Sequence, residues 1–146
     1  MSDEVLAQFV GSYDAEITVR PGPDAAPVKQ TGACTVTLLA GRWLVVDYRS
    51  DSGFEGHGLY GWDEAQGRYT GVWVDSMIPG IARSEGSWNA STRTLDLATE
   101  TFQAGRTVRY REQRQILDGR TQIYRNLLPL PDGSELEVVR VVYRRR

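Results

Sequence analysis

The sequence predicts an all-β chain, an antiparallel up-and-down β-barrel of about ten strands behind a short N-terminal helix. Three observations carry that prediction. Runs rich in β-branched and aromatic residues fill nearly all of the 146 positions. The gaps between them are mostly short and rich in Gly, Asp, Asn or Pro, the residues that tight turns require. Two of the runs end on an aromatic residue followed by Asp or Asn, Trp62-Asp63 and Trp88-Asn89, and each leads into a polar turn, the pattern of consecutive hairpins. A sheet of that many strands curls, and closure removes its exposed edges. A sandwich is the alternative.

Ser2-Asp3-Glu4 supplies a capping hydroxyl and first-turn acids to a short helix over Val5–Val10, with Leu6, Phe9 and Val10 on its apolar side. The strands follow at Ser12–Arg20, Val28–Leu39, Arg42–Ser50, Phe54–Trp62 and Arg68–Ser76. Five more are expected at Ile81–Trp88, Thr94–Phe102, Arg106–Leu117, Arg120–Leu128 and Glu135–Arg144. Pro21–Pro27 and Pro129–Ser134 are breaks because proline cannot donate to a strand ladder. Asp118-Gly119 is the clearest turn, since glycine supplies the positive φ of a two-residue hairpin loop. No linker divides the chain, so residues 1–146 are read as a single domain.

Turn positions set the registers. A loop over Ala90–Arg93 puts Trp88 opposite Leu95, with Ser84, Gly86 and Leu97 on the same face, and Arg83 opposite Glu100 on the polar face. The same counting pairs Trp62 with Tyr69 and continues that face through Tyr60, Gly58, Gly56, Gly71, Trp73 and Asp75. Glycines beside Trp73 suggest room for a large ring or for a ligand. The other face of these strands carries Leu59, Val72 and Val74, an apolar patch that the N-terminal helix is able to cover. A two-residue loop at Asp118-Gly119 puts Glu112 opposite Arg125, on a face with Tyr110, Ile116, Ile123 and Leu127, leaving Gln122 and Asn126 on the solvated face. At Ala40-Gly41, Cys34, Val36 and Leu38 would share the inner face with Trp43, Val45 and Asp47. A slip of one residue reverses such assignments.

Composition excludes several classes of function. Apolar residues are 40% and charged residues 25%, ordinary for a globular protein, and the net charge of -2 gives no bulk attraction to nucleic acid or anionic membrane. Of 17 basic residues only Lys29 is lysine, a bias better explained by the genome than by anion recognition. Cys34 is the single cysteine, so an internal disulfide is impossible. With one His and one Cys, no metal site is expected. No basic leader followed by an apolar run opens the chain, and a cytoplasmic location is expected.

The string GHGLYGWDEAQGRYTGVWVDSM, preceded by LLAGRWLVVDYRS and followed by SEGSWNASTRTLDL, resembles a bacterial domain-of-unknown-function family of the calycin (lipocalin and fatty-acid-binding-like) group. The opening GSYDAEITVRPGP and the closing VVYRR also fit, so the resemblance runs from Phe9 to Tyr143. It implies a small closed barrel with an internal cavity. It brings no established activity and no catalytic residues.

Three functions follow as expectations. In the first, the barrel binds a small, mostly apolar or lipid-like molecule. Trp43, Tyr60, Trp73, Trp88 and Leu97 would form its walls, and Asp47, Asp75, Glu112 and Arg125 its polar contacts. In the second, the barrel is an enzyme using Asp75 or His57 as acid or base. In the third, it is a ligand-free module that forms a homodimer through Leu59, Val72 and Val74. No cofactor is expected. His57 is the only imidazole, and the haem-binding barrels that the fold resembles do not place their ligand in such a Gly-x-Gly strand, so haem is not expected. No nucleophile elbow, phosphate loop or dinucleotide fingerprint is present.

Overall fold

Buried and exposed side chains alternate along most of the chain, and the alternation decides which residues enclose the interior. The computed structural model describes residues 2–146. Helix α1 (Ser2–Ala7) is followed by β1 (Gly11–Val19), β2 (Val28–Leu39), β3 (Trp43–Ser50), β4 (Glu55–Asp63) and β5 (Arg68–Asp75). Then come β6 (Ala82–Asn89), β7 (Thr94–Gln103), β8 (Arg106–Ile116), β9 (Thr121–Pro129) and β10 (Glu135–Arg145). Every strand pairs antiparallel with its neighbours in sequence, and β1 pairs with β10 to close the barrel. No edge is left unpaired, which is how an all-antiparallel sheet of this size avoids exposed backbone donors and acceptors.

One end of the barrel is stoppered. α1 and the turn after it carry Leu6 and Phe9 into the barrel end, and both are fully buried. Phe9 meets the edge of Trp88 at 5.9 Å, and the Tyr13 hydroxyl donates to the Phe9 carbonyl at 2.8 Å. Around them lie Leu44, Tyr69, Leu95, Ile116 and Tyr143, all buried. The helix begins at Ser2 and ends at Ala7, earlier than the expected Val5–Val10, because Gln8 and Phe9 form a turn and β1 opens at Gly11. Any capping by the Ser2 side chain lies outside the described residues. Since its apolar side faces the core, α1 does not cover Leu59, Val72 and Val74. Val72 and Val74 remain exposed on the outer surface.

Two expected registers are corrected by one residue each. At Ala40-Gly41 the turn closes with Arg42 N–H donating to the Leu39 carbonyl at 3.1 Å, with φ of 53° and 69° at the two turn residues. Arg42 is then an extra residue, and Leu39 pairs with Trp43. Cys34, Val36 and Leu38 therefore face inward beside Tyr48, Val46 and Leu44, while Trp43, Val45 and Asp47 turn outward. At Asp118-Gly119 the Asp118 carboxylate accepts the Arg120 N–H at 2.8 Å, and Leu117 N–H donates to the Thr121 carbonyl at 3.0 Å. That side-chain bond holds the Asp118 carboxyl below its ordinary range. It also widens the turn, so Ile116 pairs with Gln122 and Glu112 with Asn126. Gln122, Tyr124 and Asn126 point inward and Ile123, Arg125 and Leu127 outward, the reverse of the expectation. The other two hairpin registers stand: Trp62 pairs with Tyr69, Trp88 with Leu95 and Arg83 with Glu100.

Candidate functional site

The interior is lined mainly by aromatic rings and hydroxyls. All seven tyrosines of the chain project from inner-face positions: Tyr13, Tyr48, Tyr60, Tyr69, Tyr110, Tyr124 and Tyr143. Trp62, Trp73 and Trp88 join them, and Trp43 is the one tryptophan outside.

The glycines beside Trp73 have a specific task. A Cβ on Gly56 would lie 2.0 Å from the Trp73 ring, and one on Gly71 would lie 2.1 Å from the Tyr60 ring. The room they make is filled by the protein's own aromatics. Trp73 is locked further, because its indole N–H donates to Asp75 Oδ2 at 2.8 Å. Asp75 Oδ1 accepts the Met77 and Ile78 N–H groups, each at 2.8 Å. Asp75 thus pins both the ring and the loop that follows β5.

Glu112 is the polar centre. It is 7% exposed and accepts hydrogen bonds from Thr99 (2.6 Å), Ser84 (3.3 Å) and Tyr124 (2.5 Å). Ser84 and Thr99 also bond each other at 2.8 Å. The cluster is built by register: Gly71, Ser84, Thr99 and Tyr110 are successive partners across β5 to β8, starting from Tyr60 on β4. Arg114, the next inward residue of β8 after Glu112, lies towards the stoppered end. Its Nε donates to Gln122 at 3.0 Å, and its guanidinium lies over Tyr143 at 4.5 Å and Phe9 at 5.7 Å.

The interior is less tightly packed near Glu112. Burial raises the Tyr60 and Tyr124 hydroxyls well above the ordinary phenol range, and the Glu112 charge is the next cause. Both residues nevertheless keep some water-accessible surface, as do Trp73, Tyr110 and Asn126, all at inner-face positions. Tyr143, 5% exposed, marks where packing is solid.

The outer surface carries depressions of about 350 Å³, between Trp43, Leu59, Val72 and Arg83, and about 540 Å³, beside Arg83, Glu100, Arg109 and Arg111. Most of the charges around them are paired with one another, Arg68 with Glu85, Arg109 with Glu100 and Arg111 with Glu135. Such exposed pairs contribute little to stability and leave little for a ligand.

Of the expected site residues, the structure brings Tyr60, Trp73, Asp75, Trp88, Leu97 and Glu112 to the inner face. Trp88 and Leu97 are nearer the stopper. Trp43, Asp47 and Arg125 are outside. Trp43 covers Gly61, Asp47 faces solvent near Arg49, and Arg125 pairs with Glu137 at 3.2 Å instead of with Glu112. His57 is exposed on the outer face opposite Asp47, so it does not meet Asp75. Ser84, Thr99, Tyr110 and Tyr124 complete the site. The signal for Tyr110 was its place two residues before Glu112 in one strand; Tyr124 was hidden by the slipped register. Among the described residues no group of His, Cys, Asp and Glu is arranged to hold a metal. No helix is long and apolar enough to cross a membrane.

Residues 2–145 match a protein family described as "Protein of unknown function (DUF1579)". The chain belongs to the DUF1579 family. No curated protein matches this family member. Among solved structures it is similar to Rv2717c from M. tuberculosis, at 14% identity and a TM-score of 0.71, over 98% of this chain and 96% of that one. It is also similar to the S-type phycobiliprotein lyase CPES from Guillardia theta, at 14% identity and a TM-score of 0.61, over 100% and 93% of the two chains. At such identities the likeness is one of fold alone.

Burial raises the hydroxyls of all seven tyrosines above the ordinary phenol range. The folded protein therefore holds phenol protons that the unfolded chain releases above about pH 10. There the unfolded state binds fewer protons, so stability falls as pH rises. In an alkaline titration, phenolate absorbance is expected to stay low past pH 10 and then rise in one step with loss of near-ultraviolet circular dichroism. Gradual titration near pH 10 with native dichroism intact would contradict the enclosed interior.

Proposed function

We propose that this DUF1579 protein is a binding barrel that holds a small, mostly apolar molecule in the hollow beside Tyr60, Trp73, Tyr110 and Tyr124. The observation that carries this reading is the water-accessible surface that these inward-facing side chains keep. Enclosed, aromatic-lined space with a few convergent polar groups is the usual form of a ligand site. Glu112, Thr99 and Ser84 would orient the polar end of the molecule. Within this reading Asp75 is structural: three donors already occupy its oxygens. A cytoplasmic location suits the buried, unpaired Cys34.

The enzyme reading, with Asp75 or His57 as acid or base, has less support: His57 is exposed on the outer face, and the Asp75 oxygens already accept three hydrogen bonds. The dimer reading keeps one observation, the exposed Val72 and Val74.

Native mass spectrometry of the protein purified gently from its own cells tests the proposal. The expected result is a retained adduct with one small molecule per chain. A bare monomer in every preparation would count against a resident ligand, and a bare dimer would favour the outer face.

A further inference from the structure

The hollow contains an acidic group without a cationic partner. Glu112 is buried, and its hydrogen-bond partners are the neutral hydroxyls of Ser84, Thr99 and Tyr124. Among the described residues no Arg or Lys lies within ion-pair distance of it; Arg125, the nearest expectation from sequence, pairs with Glu137 outside. Buried charge is normally paired. A second observation is the ring set. Tyr60, Tyr110 and Tyr124 stand around Glu112 and keep accessible surface, and the faces of such rings attract cations.

Resting on the binding reading above, we propose that the ligand carries a positively charged nitrogen, an organic ammonium or amidinium, with Glu112 as its acceptor and the faces of Tyr60, Tyr110 and Tyr124 as its cage. The competing pole is Arg114, which also has a buried nitrogen, Nη2, without a partner. Its charge is already met by the faces of Tyr143, Phe9 and Tyr13 and its Nε by Gln122. Phe9, Tyr13 and Tyr143 are solidly packed, which leaves little space for an anion there.

Isothermal titration with three probes of one shape tests this: 2-phenylethylammonium, 2-phenylethanol and 3-phenylpropanoate. The ammonium is expected to bind about tenfold or more tightly than the alcohol, and the carboxylate more weakly than either. Glu112→Gln should bring the ammonium down to the level of the alcohol and leave the alcohol within about twofold. Tyr124→Phe keeps the ring and releases one lone pair of Glu112. It should tighten the ammonium about threefold, and an unchanged or weaker affinity overturns the proposal even where Glu112→Gln fails to fold. Equal binding of ammonium and alcohol overturns the cationic ligand but leaves the hollow. A preference for the ammonium that survives Glu112→Gln overturns the role of Glu112. Tightest binding of the carboxylate overturns the proposal in favour of Arg114. No binding by any probe overturns both this inference and the binding barrel.

Discussion

Replacing Gly86 with alanine is expected to cost at least about 3 kcal/mol and to lower the melting midpoint by about 10 °C. Gly86 on β6 pairs with Leu97 on β7, and a Cβ there would fall 1.9 Å from the Asp96 carbonyl oxygen and 2.9 Å from the Leu97 Cα. These are backbone atoms of a paired strand, so neither side can yield without opening the ladder. The same ladder places Ser84 against Thr99, two residues away, and with them the support of Glu112. Gly22 is the control: a Cβ there meets nothing, and Gly22→Ala should melt with the parent. A Gly86→Ala protein melting within a degree or two of the parent would show that the two strands do not approach so closely.

Phe9→Ala is the second large effect, an expected loss of about 3–5 kcal/mol in denaturant unfolding. Phe9 is fully buried and touches the edge of Trp88, with Arg114 over its face. Removing the ring leaves a cavity that the closed sheet cannot collapse to fill, because its wall is a continuous hydrogen-bonded ladder. The Tyr13 hydroxyl bonds the Phe9 backbone and survives the change. The loss therefore measures the packing of the ring together with its contact to the Arg114 guanidinium, and acrylamide should quench Trp88 more readily in the variant. A loss below about 1 kcal/mol would mean that the stopper adds little to the barrel.

The barrel and most strand positions were legible because turn chemistry and hydrophobic runs are local properties. Face assignment was legible only where the turn type was. At Asp63–Gly67 and Asn89–Arg93 the loop length is set by side chains bonding their own turn, Asp63 to Gln66 and Asn89 to Ser91 and Thr92, and the counted registers hold. At Ala40-Gly41 a bulged Arg42, and at Asp118-Gly119 a side-chain bond to Arg120, add one residue to the count. With period two, one residue is enough to move Trp43, Asp47 and Arg125 outside and Tyr124 inside. Alternation within β9 could not correct the error, since Ile123 and Leu127 on its outer face are as apolar as its inner face. The glycines beside Trp73 were legible as space but not as space already filled. The packing of the Tyr60 and Trp73 rings decides that.

The seam between the first and last strands imposes an order on folding. Arg146 on one side of it pairs with Asp14, 132 positions earlier. Every other strand pairing can form between neighbours as the chain leaves the ribosome, whereas this one waits for the final strand. Joining such distant segments costs more loop-closure entropy than pairing neighbouring strands, and it slows folding. The last strand is thus a latch: without β10, both β1 and β9 would be bare edges, and the interior would not be enclosed.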